Sequence, residues 1–139
     1  MLPYVVGVVL SLGVALFARW VGFDRDRAFY PTVLIVIASY YVLFAAMGDS
    51  LQTVVLESAL MSVFVVAAVA GFKGSVWIIV GGLAAHGVQD AVHGRLIANA
   101  GVPGWWPAWC LAYDVGAACA LAWIVMRADS RRLVVKRSE

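Results

Sequence analysis

Long apolar stretches separated by short polar breaks run along the whole chain. Five of these stretches have about the 20 residues that are needed to cross the hydrocarbon core of a bilayer. They span residues 2–21, 30–48, 51–72, 75–97 and 106–126. The breaks are rich in charged residues, Gly, Ser and Pro, which favour turns and loops. The pattern predicts an all-α fold: a polytopic membrane bundle of five transmembrane helices.

Composition supports this interpretation. Of the 139 residues, 64% are apolar and 13% are charged, whereas a soluble domain carries about 25% charged residues. The net charge of +2 is too small to indicate nucleic-acid binding. We expect residues 1–126 to form a single five-helix transmembrane domain and residues 127–139 to form a basic cytoplasmic tail. The expected location is a bacterial inner (plasma) membrane.

The basic residues predict the orientation, because cytoplasmic loops carry the excess of Lys and Arg. On one side of the predicted bundle there is a single basic residue, Arg95. The other side holds Arg19, Arg25, Arg27, Lys73, Arg127, Arg131, Arg132, Lys136 and Arg137. This distribution predicts an external N-terminus and a cytoplasmic C-terminus.

Several local patterns predict how the helices begin and pack. Asp49 and Gln52 have the spacing of a capping box at the start of the third helix. Small residues allow close helix packing in membranes, and they recur at Gly7, Ser11 and Ala15, at Ala112, Gly116 and Ala120, and at Gly87 and Gly94. Trp105, Trp106 and Trp109 are predicted to anchor the outer interface.

Five ionisable residues lie inside the predicted helices: Glu57, His86, Asp90, His93 and Asp114. Each ionised group there costs roughly 2.5–3.5 kcal/mol on insertion scales, so it needs a reason. At about 100° per residue, Asp90 lies ~40° from His86 around the helix and His93 lies ~20° on the other side. All three are therefore predicted to share one face of the fourth helix.

The predicted topology also places three helices' acidic groups at one depth. Glu57, Asp90 and Asp114 each lie roughly 9–12 Å below the outer end of their helices, at 1.5 Å per residue. We therefore expect one shared site in the outer half of the membrane, with the loop at residues 99–109 covering its entrance.

Two chemistries suit such a site. A divalent metal (Zn, Fe or Mn) is one, because imidazole and carboxylate are ligands for these ions. Its candidate ligands are His86, Asp90, His93 and Asp114. His86 and His93 are ~10.5 Å apart along the axis, so one of them with Asp90, and with Asp114 or Glu57, is the expected set. The other chemistry is acid–base catalysis without a metal. Cys110 and Cys119 are expected only to pack between helices.

The His/Asp face of the fourth helix resembles the zinc sites of membrane ceramidase-type hydrolases, which combine His and Asp within a helical bundle. Those proteins have seven helices and an H-x3-H pair, both of which differ from this sequence. Glu57 and Asp114 are similar in style to the acidic pairs of small sterol-isomerase-type bundles. These resemblances imply a metal-dependent membrane hydrolase or an isomerase-like enzyme.

The leading hypothesis is a small membrane enzyme that acts on a lipid-phase substrate, with His86, Asp90, His93, Asp114 and Glu57 as catalytic residues. Three alternatives use the same residues: a cation- or proton-coupled transporter working as an oligomer, a non-catalytic subunit, and a polar cluster that only aligns the helices. The expected partners are membrane lipids and either a second copy of the chain or a larger membrane complex.

Overall fold

A computed structural model describes residues 1–48 and 50–137, with side chains as far as Ala128. Its architecture is all-α, and no strand occurs among the described residues. The helices are α1 (Leu2–Val21), α2 (Phe29–Met47), α3 (Leu51–Lys73), α4 (Val76–Leu96) and α5 (Trp106–Arg137). A short 3-10 turn at Phe23–Arg25 connects α1 to α2. Helix α5 continues past the predicted membrane segment to Arg137, so its last turns lie in the region assigned to the tail.

Contacts between side chains show how the helices run. His86 of α4 contacts both Phe64 of α3 and Asp114 of α5, and Gly71 of α3 lies against Ile79. Residue numbers fall on α3 as they rise on α4, so these two helices are antiparallel. Gly87 of α4 lies against Leu111 of α5, whereas the preceding residue His86 contacts Asp114, so α4 and α5 are antiparallel as well. Helix α1 packs on α5, and α2 packs mainly on α3.

Small residues bring α1 and α5 into close contact. A Cβ atom added at Gly116 would collide with the Ser11 Oγ, and one at Gly7 would collide with the backbone oxygen of Trp109. Glycine is therefore required at both positions, which confirms the packing role predicted for these stripes. The prediction for Gly94 is wrong: a Cβ there would meet no atom within 4 Å, because Gly94 is on the outer face of α4.

Four of the five helices are long and apolar enough to cross a membrane, judged by length and composition over the described residues. The exception is α4, which has 21 residues. Its hydropathy is lowered by four polar side chains, His86, Gln89, Asp90 and His93, and all four are buried. The helix that is not apolar enough by this measure is therefore the one that supplies more of the buried polar side chains than any other helix, among the described residues.

The helix ends follow local rules. Helix α3 begins at the N-cap Ser50, whose Oγ accepts a hydrogen bond from the Thr53 N–H at 3.2 Å. Asp49 of the predicted capping box lies outside the described residues. Helix α1 ends at Gly22, whose φ of 93° is a left-handed conformation that glycine adopts without strain. Trp106, which is predicted to anchor the outer interface, is 8% exposed and packs on Tyr40 and Phe44.

Candidate metal centre and its neighbouring acid–base pair

His86 and Asp114 form the shortest polar contact between α4 and α5. His86 Nδ1 is 2.6 Å from Asp114 Oδ2, and the same nitrogen is 3.6 Å from Asp90 Oδ2. The two carboxylates come from different helices, and both lie on one side of the imidazole ring. The side chains of His86 and Asp90 are both 0% exposed. The helical spacing of four residues places His86 and Asp90 on one face, as the sequence predicts.

Cys110 belongs to the same cluster. One ligand atom from each of His86, Asp90, Cys110 and Asp114 lies within 4.8 Å of the other three. Cys110 is 0% exposed and is a free thiol. It precedes Asp114 by four residues, so the two share a face of α5. The sequence predicts only a packing role for Cys110, whereas its burial beside two carboxylates and an imidazole makes it part of a group that could hold a metal ion.

A second buried pair connects α3 to α4. His93 Nε2 lies 2.7 Å from Glu57 Oε1. The Asn99 side-chain amide donates to the same carboxylate oxygen at 2.9 Å and to the Tyr41 carbonyl at 3.1 Å. Asn99 is in the connection between α4 and α5, so this loop reaches into the end of the bundle. Glu57 is 1% exposed and His93 is 2% exposed.

Tyr41 of α2 joins the two parts of the network. Its hydroxyl donates to Asp90 Oδ1 at 2.6 Å. Its ring stacks on His93, with 4.0 Å between the ring centroids and an interplanar angle of 25°. One buried side chain therefore touches both the four-residue cluster and the Glu57–His93 pair. Tyr41 was not among the predicted site residues, and only the packing of α2 against α4 brings it there.

Several buried atoms of the network have no hydrogen-bond partner among the described residues. They are Glu57 Oε2, His86 Nε2, Asp90 Oδ2 and Asp114 Oδ1. Buried polar groups are normally hydrogen-bonded, and an unpaired one costs roughly 1–3 kcal/mol, more if charged. Two carboxylate oxygens without a hydrogen bond, in one buried cluster, are therefore available to take up a proton or to bind a cation.

The structure brings all five sequence-predicted residues into one network but divides them into two groups. His86, Asp90 and Asp114 converge with Cys110, and His93 instead faces Glu57. The candidate ligand set therefore loses His93 and gains Cys110. The reason is the seven-residue spacing: His93 lies about two turns above His86, too far for both imidazoles to reach one ion.

The four-residue cluster matches the chemistry of a transition-metal site. Zinc binds thiolate, imidazole and carboxylate with bonds of about 2.0–2.3 Å, which puts tetrahedral ligand atoms about 3.3–3.8 Å apart. The atoms here lie within 4.8 Å of one another, so an inward movement of roughly 1 Å would suffice. The cluster could therefore hold a metal ion.

Compared with known proteins, the chain matches no family model, no curated protein and no solved structure.

Proposed function

We propose that this protein is a metal-dependent membrane enzyme, most simply a zinc hydrolase, that acts on a lipid-phase substrate at the end of the bundle that carries the α4–α5 loop. His86, Asp90, Asp114 and Cys110 supply the ligands. Glu57 and His93 form the acid–base pair. The observation that carries this proposal is the position of Tyr41, which contacts both groups.

The donor set favours zinc over the other divalent metals considered. Carboxylates alone would suit Mg²⁺ or Mn²⁺, but a thiolate next to an imidazole favours a softer ion. With a metal bound, the two carboxylates and Cys110 as a thiolate would bring negative charge into an apolar interior, and the divalent cation would offset it. A bound zinc ion would supply a water or hydroxide nucleophile at neutral pH if only three of these four side chains bind it, because a catalytic zinc keeps one coordination position for water.

The second pair supports catalysis rather than a purely structural metal. Holding an ion requires only the four-residue cluster, yet Glu57 and His93 are also buried at a cost on insertion. A carboxylate bonded to an imidazole can accept a proton from a nucleophile and return it to a leaving group. Glu57 Oε2 has no partner among the described residues, so it is free to take part in that exchange.

We also propose that α4 crosses the membrane as the fifth span, with the N-terminus outside and the tail in the cytoplasm of a bacterial inner membrane. The distribution of side chains on α4 supports this proposal. Its polar side chains are buried, whereas large side chains on its outer face, such as Trp77, Ile78 and Val88, are apolar and exposed, as contact with lipid requires. An external reporter signal near Gly101 and a cytoplasmic one after Glu139 are expected. If both sites report from the same side, the five-span topology is wrong.

Transport through a single chain is less well supported. Between the ionisable network and the basic end, the interior of the described bundle is lined by apolar side chains such as Leu34, Ile79 and Leu83. Among the described residues the ionisable network does not continue through this apolar layer, so the described part of one chain offers a cation or proton no polar path. We propose separately that the chain associates with a second copy of itself or with other membrane subunits. The mass of the purified complex tests this proposal.

The first test is the metal content of the purified protein. We expect about one zinc per chain by elemental analysis, with iron and manganese measured alongside. Asp114→Asn should remove it, because one anionic ligand is lost. Glu57→Gln is the matched control, since this carboxylate is equally buried and also bonded to an imidazole, but it lies outside the ligand cluster. Equal metal content in both variants would contradict the assigned site.

The second test asks whether the site is open. Cobalt(II) substituted for zinc gives a visible spectrum that reports coordination, and an added ligand such as azide should change it if a position is free. A membrane lipid extract serves as the substrate mixture, and mass spectrometry detects the products. Products should form with the metal-loaded protein and not with the metal-free protein. They should also disappear in Glu57→Gln, which keeps the metal. A spectrum insensitive to azide, with no lipid product, would assign the metal a structural role.

A further inference from the structure

A cavity of ≈ 440 Å³ lies at the opposite, basic end of the bundle. Its walls are apolar side chains from α2, α4 and α5, among them Pro31, Ile79, Leu121 and Val125. Its mouth is formed by the charged connection between α1 and α2, residues 24–27. The volume is within the range of small-molecule sites, about 300–1,000 Å³. An apolar interior beneath a charged mouth suits an amphiphile.

Two groups at this cavity make no hydrogen bond or ion pair within the described part of the chain. The Tyr30 hydroxyl is buried without a hydrogen bond, and the residue is 6% exposed. The Arg25 guanidinium, which is exposed, forms no ion pair or hydrogen bond with the described residues. A buried hydroxyl donor and a free cation at one cavity both recognise an anion.

Negative charge at the mouth comes from two residues, Asp24 and Asp26, which are outnumbered by the basic residues at this end of the bundle, Arg19, Arg25, Arg27, Lys73 and Arg127. Asp24 is paired with Arg19 at 3.1 Å. Asp26 Oδ1 accepts a hydrogen bond from the Ala28 N–H at 3.1 Å. Arg27 donates to the Gly74 carbonyl at 2.6 Å and keeps its charge at the mouth. Lys73 and Arg127 add positive charge at the same end.

We propose that this cavity binds an anionic membrane phospholipid. The phosphate lies between Arg25 and the Tyr30 hydroxyl, and the upper part of one acyl chain lies against the apolar walls. A free inorganic anion would satisfy the two polar groups but leave those walls without a partner. This site is separate from the proposed metal centre and does not depend on it.

The test is native mass spectrometry of the full chain with phosphatidylglycerol or phosphatidylcholine, together with thermal unfolding in each lipid. Phosphatidylglycerol should bind in preference and raise the melting temperature. Arg25→Gln should lower the affinity for phosphatidylglycerol about fivefold, because one basic residue near an anionic surface contributes about that much to binding. Arg95→Gln, an exposed arginine at the other end of the bundle, is the charge-matched control and should have no effect.

Tyr30→Phe distinguishes a specific binding site in the cavity from nonspecific electrostatic attraction between the basic end of the protein and the lipid. It leaves every charge in place and removes one donor, so phosphatidylglycerol affinity should fall about threefold or more. Stability in phosphatidylcholine should be kept, since the lost hydroxyl has no protein partner. If this variant fails to fold, Arg25→Gln and Arg95→Gln still decide the question, because both residues are exposed. Equal losses in those two variants, or an unchanged affinity in a folded Tyr30→Phe, would overturn the proposal. Displacement of the lipid by millimolar inorganic phosphate would overturn the lipid as ligand.

Discussion

Substitution of Asp90 by asparagine should separate metal binding from helix alignment. In the structure one carboxylate oxygen, Oδ1, accepts a hydrogen bond from the Tyr41 hydroxyl at 2.6 Å, and the other, Oδ2, makes no hydrogen bond with the described residues and lies 3.6 Å from His86 Nδ1. An asparagine keeps the size of the side chain and the oxygen that Tyr41 needs. It loses the negative charge that a metal requires. The two roles of Asp90 therefore respond differently to one change.

The expected magnitudes differ clearly. Interhelical hydrogen bonds in membranes are worth about 0.6 kcal/mol on average and about 1.7 kcal/mol at most. The free energy of unfolding of metal-free Asp90→Asn should therefore differ from that of the metal-free parent by no more than about 2 kcal/mol. A ligand at a hundred times its dissociation constant stabilises the folded state by about 2.7 kcal/mol. The parent should show this gain with zinc, and Asp90→Asn should show almost none of it.

The assay is thermal unfolding in detergent, with zinc and with a chelator, for the parent, Asp90→Asn and Glu57→Gln. Glu57→Gln is the control because it alters a buried carboxylate outside the ligand cluster, so it should keep the zinc-dependent gain. The reasoning is refuted if zinc does not stabilise the parent, or stabilises Asp90→Asn equally. A large loss of stability in the chelator-treated Asp90→Asn would instead assign the cluster a role in helix alignment.

Three further predictions concern other parts of the bundle. Cys110→Ser should weaken zinc binding more than manganese binding, because it replaces a soft ligand by a hard one. In the same titration Cys119→Ser, which alters an exposed thiol, should leave the affinities for zinc and for manganese unchanged. Asn99→Ala should speed hydrogen exchange in residues 97–105 by roughly tenfold, because it removes the two hydrogen bonds that hold this loop to the bundle, each worth about 0.5–1.5 kcal/mol; unchanged exchange would show that other contacts hold it. Gly116→Ala should destabilise the protein by about 1–3 kcal/mol through overpacking, whereas Gly13→Ala, where the added Cβ meets nothing within 4 Å, should not; similar melting temperatures for the two would contradict the tight α1–α5 interface.

Much of the fold could be predicted from the sequence because it depends on local properties. The lengths of the apolar stretches are close to those of the five helices, since a segment buried in apolar surroundings must satisfy its own backbone hydrogen bonds. The shared face of His86, Asp90 and His93 follows from the geometry of one helix. The end of α5 could not be predicted in this way, because membrane thickness limits the apolar segment and not the helix that continues beyond it.

The pairing of side chains between helices was decided only by the tertiary structure. Helical geometry relates His86 to Asp90, but the rotation of α5 determines whether Asp114 and Cys110 face them, and close packing at Gly7 and Gly116 constrains that rotation. Depth alone placed Glu57 near the site without identifying His93 as its partner. Tyr41 and Asn99 enter the network from a helix and a loop distant in sequence, and no spacing along the chain encodes such a contact.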